Sequence, residues 1–213
     1  MDGTLVRGNT AADYVHSRWK RGLLSSRAAA EAFLVYGRYR LGLVDMTAVI
    51  HEAAREVQGL QEAELAAECR LIYHERVRPR ICPDMRERVR HHRERGDAMA
   101  IVTASTPYIA RHLAVDLAID TVLATELEVQ EGRFTGRIAG DPCFGHFKID
   151  RVKTWAAMHH PQIPDEKSPL EQAFFYSDSD SDAPLLHLVG HPHVVRPDVR
   201  LRWRAWRHAW PQV

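Results

Sequence analysis

Ala173-Phe174-Phe175-Tyr176-Ser177-Asp178-Ser179-Asp180-Ser181-Asp182 opens as a short apolar run and closes with three carboxylates in five residues. The apolar half suits a buried parallel strand, which is bounded by polar residues and has no alternation. Open α/β sheets bind ligands at the carboxyl ends of such strands. Three neighbouring acids repel one another there, and a hard cation such as Mg²⁺ relieves the repulsion through oxygen ligands. The same acids would also suit a helix N-terminus, where the macrodipole favours negative charge.

Outward from this stretch, strands and helices alternate. Residues 182–189 read as a helix, 193–195 as a short strand and 198–208 as a closing helix. Trp203 and Trp206 of that helix, with Arg196, Arg200, Arg202, Arg204 and Arg207 around them, either pack on the sheet, which is the expectation, or form a nucleic-acid or acidic-lipid patch. Toward the N-terminus, 161–169 is a polar connection and 148–159 a helix. Residues 125–138 read as a hairpin broken at Glu131-Gly132. Residues 120–124 and 98–103 are further strands, separated by a helix that starts at Thr106-Pro107. Residues 10–78 read as nearly all helix, with Gly22, Gly42 and Gly59 at helix ends. The alternation predicts an α/β fold, a doubly wound parallel sheet with an inserted helical bundle. It divides the chain into a core of 1–9 and 79–213 and a cap of 10–78.

Composition narrows the function classes. The 213 residues suffice for one α/β domain carrying an insert. At 45% hydrophobic and 27% charged, the chain is no disordered or collagen-like polymer. A formal charge of +1 gives no nucleic-acid footprint. No apolar run approaches the roughly 20 residues of a membrane helix. Cys69, Cys82 and Cys143 form no Cys-x-x-Cys pair, so neither a zinc site nor a disulfide framework is expected. The first residues carry no apolar signal region, and a cytoplasmic protein is expected. The paired histidines lack metal-ligand spacing, and no Gly-x-Gly-x-x-Gly run supports a dinucleotide site.

Three further features sit where chemistry is expected. Thr103-Ala104-Ser105 ends a strand just before a helix, where hydroxyl and N–H groups either hold an anion or cap the helix. Lys148 stands at a helix start, where a cation gains nothing from the macrodipole, so either an anionic partner or plain solvent holds it. Asp2-Gly3-Thr4-Leu5 is by itself a common turn sequence.

Taken in this order, the four features resemble the haloacid dehalogenase superfamily of phosphohydrolases. The likeness is to subfamily IB, the phosphoserine-phosphatase-like group. Asp2-Gly3-Thr4-Leu5 is similar to the end of the family's first motif, Asp-x-Asp-Gly-Thr. Thr103 matches the second motif, Lys148 the third, and Asp178 with Asp182 the fourth. The resemblance implies a Mg²⁺-dependent hydrolase of a small phosphomonoester, working through an aspartyl-phosphate. It implies Asp2 as general acid and base, Thr103 and Lys148 on the phosphoryl group, and the Gly3 and Ala104 backbone beside it. Asp2, Asp178 and Asp182 would hold the metal. Such a protein needs no nucleic acid or membrane partner.

The resemblance also puts the attacking carboxylate two positions before Asp2, outside these 213 residues, on a strand central to the sheet. That strand would lie between 98–103 and 173–177. The sequence therefore leads to two expectations. Either the native chain starts upstream of Met1, or the chain is catalytically dead and binds phosphate or is completed by a partner's strand. The family's substrate-binding acid should follow the first motif. Val6-Arg7-Gly8-Asn9-Thr10 has none. Arg7 and Asn9 are its polar alternatives, for substrate contact or for loop solvation, and an unspecified small phosphomonoester is expected rather than phosphoserine.

Overall fold

The computed structural model describes residues 1–40, 44–159 and 169–213. The expected helix end at Gly42 and nearly all of the expected 161–169 connection lie outside the described residues.

Helices α1 (Thr10–Lys20), α2 (Ser26–Arg40), α3 (Met46–Glu56) and α4 (Glu62–Ile72) come first. Their starts are chemically marked. The Asn9 side chain accepts the Ala12 N–H at 2.9 Å, and Asp45 accepts the Thr47 N–H at 2.9 Å. A π-helical turn, Tyr73–Val77, extends α4. Then follow α5 (Pro83–Glu94), β1 (Ala100–Val102), α6 (Pro107–Leu117), β2 (Thr121–Leu123), β3 (Leu127–Gln130) and β4 (Arg133–Ile138). The chain closes with α7 (Phe147–His159), β5 (Phe174–Ser177), α8 (Ala183–Leu186), β6 (His191–Val194) and α9 (Val199–His208).

Strands β1 and β2 pair in parallel, Ile101 opposite Val122, and β5 pairs in parallel with β6, Tyr176 opposite His193. Successive side chains of β1 go to opposite layers. Ile101 joins the cluster of Val89, Ile109 and Leu113, whereas Val102 joins Val152, Ala156 and Leu185. Helices thus cover both faces, the expected α/β arrangement. β3 and β4 form an antiparallel hairpin whose turn residues Glu131 and Gly132 take positive φ.

Among the described residues no strand lies between β1 and β5. A cavity of about 310 Å³ occupies that space, lined by Ala100, Val102, Phe174 and Tyr176 and floored by helices α5 and α7.

The two passages between the N-terminal stub and the helical segment run side by side. Val6 bridges Ile81 antiparallel, Arg7 N–H donates to Arg80 O at 2.9 Å, and Cys82 N–H donates to Leu5 O at 2.9 Å. Helix α4 does not stand apart from the rest. Leu65, Cys69 and Ile72 share one cluster with Ile109 and Leu113 of α6 and Phe134 of β4.

One expectation fails. Trp203 and Trp206 are 56% and 78% exposed, and α9 instead buries Leu201 and Ala205. Helical spacing groups both pairs on faces, but only the sheet's shape decides which face it covers. All three cysteines are free and buried. Among the described residues no helix is long and apolar enough to cross a membrane.

Candidate active site

Asp2, Gly3, Thr103, Ala104, Lys148, Asp178 and Asp182 line one cleft of about 880 Å³. Residues from both ends of the chain meet there because β1 and β5 end on the same side of the sheet.

Lys148 and Asp182 are both buried in it, at 6% and 8% exposure. Nζ donates to Oδ1 of Asp182 at 2.6 Å, while Ser177 Oγ donates to Oδ2 at 2.7 Å. Burial by itself would raise the Asp182 carboxyl. The adjacent ammonium and the two hydrogen bonds outweigh it and hold the group below the usual carboxylate range. Lys148, oddly placed on sequence grounds at the start of α7, thus faces an anion inside the protein.

Asp178 and Asp2 are held differently. Asp178 Oδ1 accepts from Thr4 Oγ1 at 3.0 Å. Asp2 accepts from Thr10 twice, from N–H at 3.1 Å and from Oγ1 at 2.9 Å. Burial pushes both carboxyls up, and the charge of Asp178 adds to the rise at Asp2. Gly3 has φ +68°, and a Cβ there would lie 2.0 Å from Asp178 Oδ2. Glycine is therefore what lets the Asp178 carboxylate lie against this turn.

The other expected residues have more local roles. Thr103 Oγ1 accepts the Ser105 N–H at 3.2 Å, and Ala104 O accepts from Thr125 Oγ1 at 2.9 Å. Asn9 caps α1, and Arg7 is exposed; both line the cleft mouth. Asp180 turns aside to pair with Arg204 at 2.5 Å.

Four site residues escaped the sequence reading: Thr4, Thr10, Ser177 and Arg196. The Arg196 guanidinium donates to Gly3 O at 3.3 Å and to Thr4 O, and pairs with Asp84 at 2.9 Å. It follows strand β6 directly, so the rule that ligands gather at strand ends could have flagged it.

The donor set suits a hard cation. Asp2 and Asp178 are two half-buried carboxylates whose proton affinities stay raised by desolvation even though the N-terminal ammonium, Thr10 and Thr4 pull them down. Mg²⁺ typically takes one or two protein carboxylates and completes its shell with water and phosphate oxygens. Asp182 is already engaged by Lys148 and Ser177. Accordingly, no group of three or more His, Cys, Asp or Glu side chains among the described residues forms a ready cage.

A family model described as haloacid dehalogenase-like hydrolase matches residues 1–187. A histidinol-phosphatase of Neisseria meningitidis serogroup C is 29% identical over 215 residues, covering 99% of this chain and 94% of that protein. A phosphoserine phosphatase of Mycobacterium tuberculosis is 31% identical over 217 residues, covering 99% and 67%. Among solved structures, a protein of unknown function from Bordetella pertussis Tohama I superposes with a TM-score of 0.86 at 27% identity, covering 100% and 95%. A phospho-aspartyl intermediate analogue of phosphoserine phosphatase gives a TM-score of 0.69 at 15% identity, covering 96% and 87%. At that identity the last likeness speaks for the fold alone.

Proposed function

The chain belongs to the haloacid dehalogenase-like hydrolases, and from that premise we propose that it hydrolyses small phosphomonoesters with Mg²⁺ and an aspartyl-phosphate intermediate. The observation that carries this reading is the convergence of Lys148, Asp182, Asp178, Asp2 and Thr103 on one cleft. The relatives named for histidinol phosphate and phosphoserine support the choice of a phosphomonoester, and they differ in the alcohol they release.

The roles follow from the side chains' environments. Phosphoryl transfer needs positioning and charge stabilisation more than covalent chemistry from the protein. Lys148 supplies a buried positive charge for phosphoryl oxygens, held in place by Asp182 and Ser177. Asp2, its carboxyl raised by burial and both its oxygens fixed by Thr10, is placed to exchange a proton with the leaving alcohol's oxygen. Asp2 and Asp178 would hold Mg²⁺, with Asp182 supporting from the Lys148 side, and the bound ion would neutralise phosphate charge facing the carboxylates. Arg196 holds the Gly3-Thr4 carbonyls and so fixes the turn on which Asp178 rests. The helical segment 10–78 acts as a cap and 1–9 with 79–213 as the core.

The test is phosphate release by the protein purified from its own cell. Release from simple phosphomonoesters should require Mg²⁺ and disappear in Asp178→Asn. Turnover that leaves no acid-stable, hydroxylamine-sensitive phosphoryl group on the protein when quenched would sink the aspartyl-phosphate route. Metal-independent release would remove Asp178 from its role.

A further inference from the structure

The carboxylates of Asp2, Asp178, Asp180, Asp182 and Asp198, with Lys148 and Thr103, make up only part of the lining of the 880 Å³ cleft, and α1, α3 and α4 supply another part. On α3 the lining residues are Met46, Val49, Ile50 and, just past its end, Val57, at the three-and-four spacing of a single helical face. Of α3 only Ala54 is buried. Val57 also packs against the core, but Met46, Val49 and Ile50 belong to no core cluster and line the cleft. Leu65 and Cys69 of α4 continue this lining. The Cys69 thiol is pushed up to about 12 by burial, so it stays neutral and adds no charge.

The acids nearest this lining are already engaged. Asp13 is held by Arg76 at 3.1 Å and by Arg80, and Glu68 by Arg18 at 3.4 Å and Arg21 at 3.5 Å. No carboxylate from residues 10–78 lines the cleft among the described residues. An ammonium group carried there would exchange water for methyl groups, at a large cost. An alkyl or aryl group would instead cover apolar surface that is otherwise wet.

We propose that this cleft selects phosphomonoesters of apolar, uncharged alcohols and disfavours those whose alcohol bears an ammonium group. The inference rests on the phosphomonoesterase reading above and sharpens its substrate class. The α3 stripe is its specificity determinant, with Ile50 and Val49 at the centre.

Binding of n-alkylphosphonates tests it without any need for turnover. Titration calorimetry on the full chain in the presence of Mg²⁺ should give a Kd that falls about fourfold per added methylene, until the cleft is full. The heat-capacity change of binding should grow more negative along the series. 3-Aminopropylphosphonate should bind at least about 100-fold more weakly than butylphosphonate. Ile50→Asp should reverse that order, and Val49→Asp serves if the first variant does not fold. If methylphosphonate binds but chain length brings no gain, or the amine binds as well as the alkyl chain, the apolar-alcohol class is wrong and the phosphate site stands. If methylphosphonate itself does not bind, the phosphate site fails and this inference falls with it.

Discussion

Asp178 and Asp182 lie on one turn after β5, the first half-buried and the second buried, yet their proton affinities move in opposite directions. Burial pushes both up. Asp182 ends low because Lys148 and Ser177 meet its two oxygens, whereas at Asp178 desolvation outweighs the N-terminal ammonium and the single hydroxyl of Thr4, and other carboxylates lie nearby. The turn thus separates a satisfied acid from an unsatisfied one. Electrostatic strain is confined to the side where a cation would relieve it, and the other side is a fixed post for Lys148.

The sharpest break of this contrast is Lys148→Met. It leaves Asp182 buried without its counter-charge, so stability should drop by about 3–5 kcal/mol in denaturant unfolding. Adding Asp182→Asn should restore most of the loss, and a double-mutant cycle isolates the coupling. A single-variant loss below about 1 kcal/mol would mean the pair is not truly buried.

Gly3→Ala attacks the other side. Its Cβ would strike Asp178 Oδ2, and φ +68° disfavours any side chain. A loss of about 1–3 kcal/mol is expected, together with weaker Mg²⁺ binding by titration. A variant that melts and binds metal like the parent would mean that the Gly3-Asp178 contact is not kept in solution.

Titration sharpens the comparison through sign. The folded state raises the Asp178 carboxyl above its ordinary 3.8, so this group's contribution to stability is lost as pH rises through that raised value. Asp178→Asn should therefore melt higher than the parent at neutral pH and match it in strong acid. Asp182 lies below 3.8, so its contribution is present above that value and fades as pH falls through the depressed one. Asp182→Asn should melt lower at neutral pH and match the parent in acid. Thermal melts from about pH 2 to pH 7 read both. Added Mg²⁺ should raise the parent's melting point and leave Asp178→Asn unmoved. Two variants with the same sign would erase the distinction.

The smallest effect is expected at the third acid of the turn. Asp180 pairs with Arg204, whose side chain is 44% exposed. Arg204→Ala should cost about 0.2–1 kcal/mol, screened by salt. A larger loss would mean that α9 braces the turn.

The sequence made one part of this legible and hid another. Acids after an apolar run, a hydroxyl at a strand end and a misplaced helix-start lysine follow from local rules, and the structure brings those residues to one cleft. The contacts of Gly3 and Thr4 with Asp178, and of Arg196 with their carbonyls, join chain ends far apart in sequence, and no local pattern announces them. The tryptophans of α9 failed for a related reason. Periodicity sorts residues onto faces, but which face meets the sheet depends on a surface built elsewhere. The α3 stripe shows the converse, since an apolar helical face lines a cleft.

The ladder that ties residues 5–7 to 80–82 has a consequence for engineering. It clamps the entry and exit of the helical segment at a fixed separation, whatever lies between them. The segment can therefore be treated as a cassette, exchanged at these seams with little change in the entropy of closing the loop. The one condition on a graft is that it restore the inner face of α4, since Leu65, Cys69 and Ile72 are part of the floor on which α6 rests.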